Sequence, residues 1–229
     1  RESIEYDVVV VGGGPSGLAS ACKLKQLNPE LSVCLLEKGS EIGSHIISGA
    51  VFEPQTLFDL FPEDAKNCPT LKTSVVKDDL YWLANNNKSI KVPSWLMPKS
   101  LHNKGNYIIS LGELCQWIAE RAMDLGVDIF PGFPAQQYLT DTNGRVTGIA
   151  TGDMGIDKDG NQKGTYAPGM DILAKQTIFA EGARGHLGKK LIKEFGLDEG
   201  KTPQHFAIGF KEIWEVDNDK HSPGNVLHT

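Results

Sequence analysis

Gly12, Gly14 and Gly17 stand at the spacing G-x-G-x-x-G, and Glu37 follows the last of them by 20 residues. Glycines so spaced let a backbone close up against a pyrophosphate, whose charge gains from free N–H groups and the positive end of a following helix. A carboxylate about 20 residues further on accepts hydrogen bonds from both hydroxyls of an adenosine ribose. Pro15 and Ser16 complete the candidate loop, with Pro15 at a first-turn position where its missing N–H costs nothing. Lys38 follows the acidic residue. The chemistry implied is the binding of a dinucleotide, and the acidic Glu37 argues against a 2′-phosphate.

Such residues act only if secondary structure holds them. EYDVVVV (5–11) is a continuous β-branched run, the pattern of a strand buried on both faces of a parallel sheet. Leu18, Ala21, Leu24 and Leu27 then recur at helical spacing, Asn28-Pro29 ends the helix, and SVCLLEK (32–38) predicts the second strand of a β-α-β unit. Ala21 is small enough for close helix–sheet packing. Residues 39–110 read as irregular. Apolar residues at Leu114, Ile118, Ala122 and Leu125 predict a helix over 111–126 with Gly126 as its cap. VDIF (127–130), RVTGIAT (145–151) and DILAKQTIFAEG (171–182) predict strands, the last two separated by a polar hairpin. A helix is expected over 184–196, capped by Gly196, and a strand over HFAIGFKEIWEV (205–216). Within the hairpin, DKDGNQKG (157–164) has its glycine at the fourth place, not the sixth an EF-hand loop needs, and lacks a closing Glu. A tight Asp-Gly turn accounts for it.

TIFAEGARG (177–185) supplies a second signal: an apolar strand ending in small residues, with Ala180, Glu181 and Gly182 at its end. Strands of this kind return to the dinucleotide sheet and end beside the cofactor in FAD-linked reductases and hydroxylases. The interval of about 140 residues between the two signals leaves room for an inserted domain, whereas an NAD dehydrogenase would continue with β-α repeats. FAD is therefore favoured over NAD. His45 and Ser48 after the second strand, and Arg184 and His186 after the later one, are candidates to face a flavin; a solvated or structurally bonded loop histidine is the plainer alternative.

The net charge of −6 over 229 residues and a pI near 5.5 argue against general nucleic-acid binding. No run of 18 uncharged apolar residues occurs, so no membrane-spanning helix is expected. Cys22, Cys34, Cys68 and Cys115 have no CxxC spacing and read as buried, inert thiols rather than metal ligands or a disulfide scaffold. The chain opens at Arg1 and closes at NVLHT, which reads as part of a longer protein.

KVPSWLMPKSLHNKGN (91–106) is unusual. Trp95, Leu96 and Met97 sit between Pro93 and Pro98, and residues 80–112 hold Lys88, Lys91, Lys99 and Lys104 but no acidic residue. A basic loop with an apolar tip fits an anchor at a membrane surface; a solvated charged face with its tryptophan packed on its own domain is the plainer reading.

GGGPSG, LLEKGSEIGSHIISGAVF, HNKGNYIISLGEL, GIATGDMGIDKDG and TIFAEGARGHLGKKL together resemble the electron-transfer flavoprotein–ubiquinone oxidoreductase family over nearly the whole chain. The resemblance implies an α/β fold, an FAD-binding Rossmann-like domain of the glutathione-reductase/hydroxylase type with an inserted, mixed β-rich quinone-binding domain. It implies a first FAD-binding part over 1–80, a membrane- or quinone-associated hairpin region over 81–110, with a hairpin at 91–104 dipping into the bilayer, a return to the FAD domain with a β-hairpin insertion over 111–185, and the start of the quinone domain over 186–229. Gly12, Gly14 and Gly17 would hold the FAD pyrophosphate and Glu37 the ribose, with the stretch His45 to Gly49 and Glu181-Gly182 near the flavin. The family takes electrons from reduced electron-transfer flavoprotein and delivers them to ubiquinone at the matrix face of the mitochondrial inner membrane or the bacterial cytoplasmic membrane. Its 4Fe-4S cluster ligands and second FAD segment lie C-terminal to this chain. Electron transfer requires cofactors at tunnelling distance, so no residue is nominated as a catalytic acid or base, and none as a metal ligand. Alternatives are a related FAD-dependent geranylgeranyl reductase or aromatic hydroxylase, which share the fingerprint but not the GSHIISGA and HNKGNY blocks, and a non-catalytic FAD-domain fragment.

Overall fold

A computed structural model describes residues 1–47 and 49–229. Along the chain run β1 (Ser3–Val11), α1 (Pro15–Leu27), β2 (Val33–Glu37), β3 (Ala50–Phe52), α2 (Gln55–Leu60), β4 (Thr73–Ser74), β5 (Lys77–Asn85), β6 (Lys88–Val92) and β7 (Tyr107–Ile109). There follow α3 (Leu111–Asp124), β8 (Val127–Pro131), β9 (Ala135–Thr140), β10 (Val146–Thr151), β11 (Met154–Ile156), β12 (Gln162–Ala167), β13 (Asp171–Phe179), α4 (His186–Phe195) and β14 (Asn225–His228). The chain divides into two compact units, residues 1–46 with 115–207, and residues 47–114 with 208–229.

The first unit is built on a six-stranded sheet in the order β8-β2-β1-β13-β10-β9. β8, β2, β1 and β13 are parallel; on the far side β10 runs antiparallel to β13, and β9 antiparallel to β10. The run Val8–Val11 lies centrally because its β-branched side chains bury on both faces of the sheet. Val9, Val11, Cys34, Leu36, Ile149 and Ile172 form the core of one face, edged by Phe130, Phe133 and Phe179. Val10 and Leu35 alternate to the opposite face and are also fully buried, as are Leu18, Ala21 and Cys22 of α1. Each fully buried Val, Leu or Ile among them contributes about 1.5–3 kcal/mol by leaving water. Asp7 in β1 and Lys175 in β13 bridge the sheet at 2.6 Å, and the second Asp7 oxygen accepts from the Ser32 N–H and hydroxyl.

The hairpin expected between the last two strands is β11–β12, closed by a turn in which the Asp157 carboxylate accepts from the N–H groups of Asp159 and Asn161. Gly196 caps α4 in the left-handed conformation its φ of 59° requires. All four cysteines are free and buried, and burial pushes the thiols of Cys22 and Cys34 up to about 12 and that of Cys115 to about 11.

The second unit corrects the expectation of irregular structure over 39–110. It holds two three-stranded sheets, β3-β7-β4 and β14-β5-β6. β3, β4 and β7 have only 3, 2 and 3 residues, too few to show a periodicity. The hairpin of this region is β5–β6 (Lys77–Val92), not 91–104, where two short 3-10 turns, Ser94–Leu96 and Lys99–Leu101, follow Pro93 and Pro98. The loop after them is tied down by Asp78, which accepts from the Asn103 N–H at 2.6 Å and bonds His228 of β14 at 2.9 Å.

HFAIGFKEIWEV forms no strand, a second correction. Its apolar residues alternate as in a strand, but Phe206, Ile208, Phe210 and Trp214 remain exposed. Alternation marks a face to be buried; a strand forms only with a neighbour to complete its hydrogen bonds.

Candidate functional site

The glycine loop joins β1 to α1 and is fixed by close backbone approaches. Gly12 adopts φ +112°, and a Cβ there would stand 2.4 Å from the Ala180 carbonyl oxygen. A Cβ on Gly17 would stand 2.0 Å from the Gly12 carbonyl oxygen. Gly14 differs: a Cβ there would meet nothing within 4 Å, and its φ of −81° suits any residue. The chain's own packing thus accounts for Gly12 and Gly17, while at Gly14 an open space adjoins the start of α1. Among the described residues no side chain caps that helix, its first turn holds no acidic residue, and Pro15 sits where no N–H is needed. Ser16 is exposed, its carbonyl bonded to the Ser20 hydroxyl. Free N–H groups, a positive helix end and room for close approach are what a pyrophosphate requires.

Glu37 closes β2 beside this loop. One carboxylate oxygen accepts from the Gly13 N–H at 2.8 Å, the other from the Gly39 N–H at 2.7 Å. The side chain is 14% exposed, and each oxygen retains acceptor capacity for a ribose hydroxyl. His45 Nδ1 lies 3.9 Å from Glu37, with its side chain 58% exposed. Lys38 is exposed to solvent. Gly13 escaped the sequence reading although it is the middle of a glycine run: a Cβ there would stand 2.6 Å from Ile42 Cδ1 and 3.1 Å from Glu37 Oε2. Only a glycine lets the loop and the carboxylate meet.

The strand end nominated opposite the loop is present. Ala180 donates its N–H to the Val11 carbonyl, and its methyl lies 3.3 Å from the Cβ position of Gly17. Gly182 turns the chain with φ +80°. The Glu181 carboxylate is engaged elsewhere, accepting from the N–H groups of Leu187 and Gly188 in the first turn of α4. Arg184 stacks 5.0 Å over the Phe206 ring, and His186 is exposed at the first position of α4. The structure thus brings Gly12, Gly13, Gly17, Glu37, His45 and Ala180 into one neighbourhood of the first unit. Ser48 lies outside the described residues. Gly49, in the second unit, has φ +83° and accepts from the Lys211 ammonium at 2.6 Å.

In the second unit, Trp95 is 80% exposed and Leu96 56%, but Met97 is buried and its carbonyl pairs with the His102 ring. Trp82 and Ile90, directly opposite each other in β5–β6, are exposed as well. Of the four lysines of this region, Lys91 is held by Asp79 at 2.7 Å, which raises the lysine's pKa and lowers the aspartate's. Among the described residues no three His, Cys, Asp or Glu side chains are grouped to hold a metal ion, and no helix is long and apolar enough to cross a membrane.

Comparison with known proteins accords with this architecture. The NAD(P)-binding Rossmann-like domain family matches residues 10–63, which hold the glycine loop, α1 and Glu37. The electron transfer flavoprotein-ubiquinone oxidoreductase of Pseudomonas aeruginosa is 55% identical over 234 residues, covering 100% of this chain and 42% of that protein. The mitochondrial proteins of that name from Oryza sativa and Bos taurus are 46% and 44% identical, again over 100% of this chain. Over its whole length the chain is similar to proteins of this name. It spans about two fifths of the length of those relatives. Among solved structures, a geranylgeranyl bacteriochlorophyll reductase-like protein from Thermoplasma acidophilum superposes with a TM-score of 0.58 at 23% identity, over 82% of this chain and 42% of that one. A myxobacterial FAD-dependent halogenase gives 0.56 at 17% identity, over 82% and 39%. At such identities these two likenesses show a shared fold alone.

Proposed function

We propose that the chain is the flavin-binding N-terminal part of an electron transfer flavoprotein–ubiquinone oxidoreductase, a membrane-surface flavoenzyme that passes electrons from reduced electron-transfer flavoprotein to ubiquinone. The carrying observation is the whole-chain match, at 43–55% identity, to proteins of that name. The residues present fit FAD: the space at Gly14 adjoins an uncapped helix N-terminus, and Glu37 stands one loop away with acceptor capacity left. FAD, when bound, supplies the ring system that accepts and releases electrons. The chain's residues bind and orient it: N–H groups of the loop and first turn of α1 take the pyrophosphate, and Glu37 takes the adenosine ribose. No side chain of this chain serves as catalytic acid or base.

The second unit is assigned to the quinone- and membrane-facing side, Trp95 and Leu96 supplying an apolar tip and Lys88, Lys99 and Lys104 the charges that meet anionic headgroups. Location at the matrix face of the mitochondrial inner membrane, or at the bacterial cytoplasmic membrane, follows from the same assignment. The 4Fe-4S cluster belongs to the full-length protein and takes its ligands from outside this chain.

The test is turnover by the full-length, flavin-loaded protein, with reduced electron-transfer flavoprotein as donor and a short-chain ubiquinone as acceptor. Quinone reduction that depends on both substrates supports the assignment. A flavin-loaded protein that reduces no quinone with this donor overturns it.

A further inference from the structure

Glu181 directly follows Ala180, which packs against the nucleotide loop, yet its carboxylate bonds α4. One oxygen accepts from the Leu187 N–H at 3.2 Å and the other from the Gly188 N–H at 2.8 Å, so it supplies the acceptors α4 lacks at its N-terminus. The fit is close: a Cβ on Gly185 would stand 2.5 Å from Glu181 Cβ and 2.8 Å from its Oε2. One residue earlier, Ala180 sets its carbonyl against Gly12 and its methyl against Gly17. The turn 182–185 is thereby closed at both ends, by β13 on one side and by the Glu181–α4 bonds on the other. Carboxylate charge thus occupies the positive end of α4, whereas the first turn of α1 holds no acidic residue.

We infer that Glu181 is a positioning residue for the flavin: by capping α4 it sets the path of residues 180–185 against the glycine loop, and it makes no bond to the cofactor with its own carboxylate. The inference rests on the proposal that FAD occupies this loop.

The test compares Glu181→Ala and Glu181→Gln with the parent protein. FAD dissociation constants would be measured by fluorescence titration of the flavin-stripped protein, and the visible circular dichroism of the reloaded protein would report the flavin's surroundings. Glu181→Ala is expected to raise the dissociation constant by up to roughly tenfold, the limit reached when the whole cost of the lost cap falls on the flavin-bound state. Glu181→Gln, which keeps one acceptor oxygen and loses the charge, is expected to fall between that variant and the parent. The visible dichroism should change in Glu181→Ala and be largely restored in Glu181→Gln. A dissociation constant within twofold of the parent and an unaltered visible spectrum in both variants would overturn the inference, whatever happens to the melting temperature. Should Glu181→Ala not fold, Glu181→Gln decides by affinity: a dissociation constant raised more than twofold supports the inference and one within twofold of the parent overturns it. A parent protein that takes up no FAD would instead refute the underlying site assignment.

Discussion

Gly14 and Gly17 are equivalent letters of one motif, but they answer to different neighbours. A methyl at Gly17 would collide with the Gly12 carbonyl, whereas a methyl at Gly14 would enter open space. Gly17→Ala is therefore expected to destabilise the flavin-free protein by roughly 1–3 kcal/mol through overpacking. Gly14→Ala should leave the melting temperature of the flavin-free protein unchanged and weaken FAD binding by about tenfold or more, read by thermal denaturation and flavin titration together. Equal effects of the two substitutions on the flavin-free fold would contradict this division of roles. The cysteines give a second residue-scale expectation. Burial pushes Cys22, Cys34 and Cys115 up to about 12, 12 and 11, so the reactive thiolate is scarce at neutral pH. Iodoacetamide should leave these three unmodified in the native protein and label them once it is unfolded, as mass spectrometry would show.

At the scale of elements, β1 and β13 are joined across the sheet by Lys175 and Asp7, whose hydrogen bond to the lysine, aided by Ser32, lowers the carboxyl to about 2. An aspartate unfolds to a value near 3.9. A depressed acid contributes stability that is complete above the unfolded value and is lost as pH falls toward the folded one. The Asp7 contribution should thus be constant from neutral pH down to about 5 and fade between about 4 and 2. Following the Asp7 carboxyl by NMR through an acid titration checks the midpoint, and Lys175→Met should return it toward the ordinary range. The loop after β6 yields a contrast of another kind. Trp95→Ser with Leu96→Ser should leave the melting temperature nearly unchanged and reduce co-sedimentation with anionic lipid vesicles. Met97→Ser, at a buried position, should cost about 2–4 kcal/mol of stability. Equal vesicle binding by the parent and the Trp95/Leu96 double variant would remove the anchor from the functional proposal.

For the molecule as a whole, the exposed apolar row Phe206, Ile208, Phe210 and Trp214 is the largest departure from what a strand pattern foretells. Exposed rows of this kind associate. The 229-residue chain should show concentration-dependent self-association in light scattering, reduced by Ile208→Lys with Phe210→Lys. The nucleotide unit was legible because its signals are local or doubly buried. The run Val8–Val11 sits between strands on both sides, so its composition alone marks it, and Gly196 caps α4 through its own backbone. The sheet β3-β7-β4 of the second unit was not, because its two- and three-residue strands carry no period and exist only through partners distant in sequence. Burial of Met97 and the pairing of Lys91 with Asp79 were hidden for the same reason: a loop's composition does not say which of its residues turn inward.

The sequence by itself determined the β-α-β unit, the glycine loop, Glu37 and the helix ends, since these depend on hydrophobic period, backbone freedom and caps a few residues away. The tertiary structure alone decided that Gly14 faces open space while Gly17 faces backbone, and that Gly13 gives room to Glu37. It also directed Glu181 to α4 and left 205–216 without a strand to pair with. Those outcomes depend on which distant segments meet, as β1 meets β13 through residues 168 positions apart, and no local pattern encodes such a meeting.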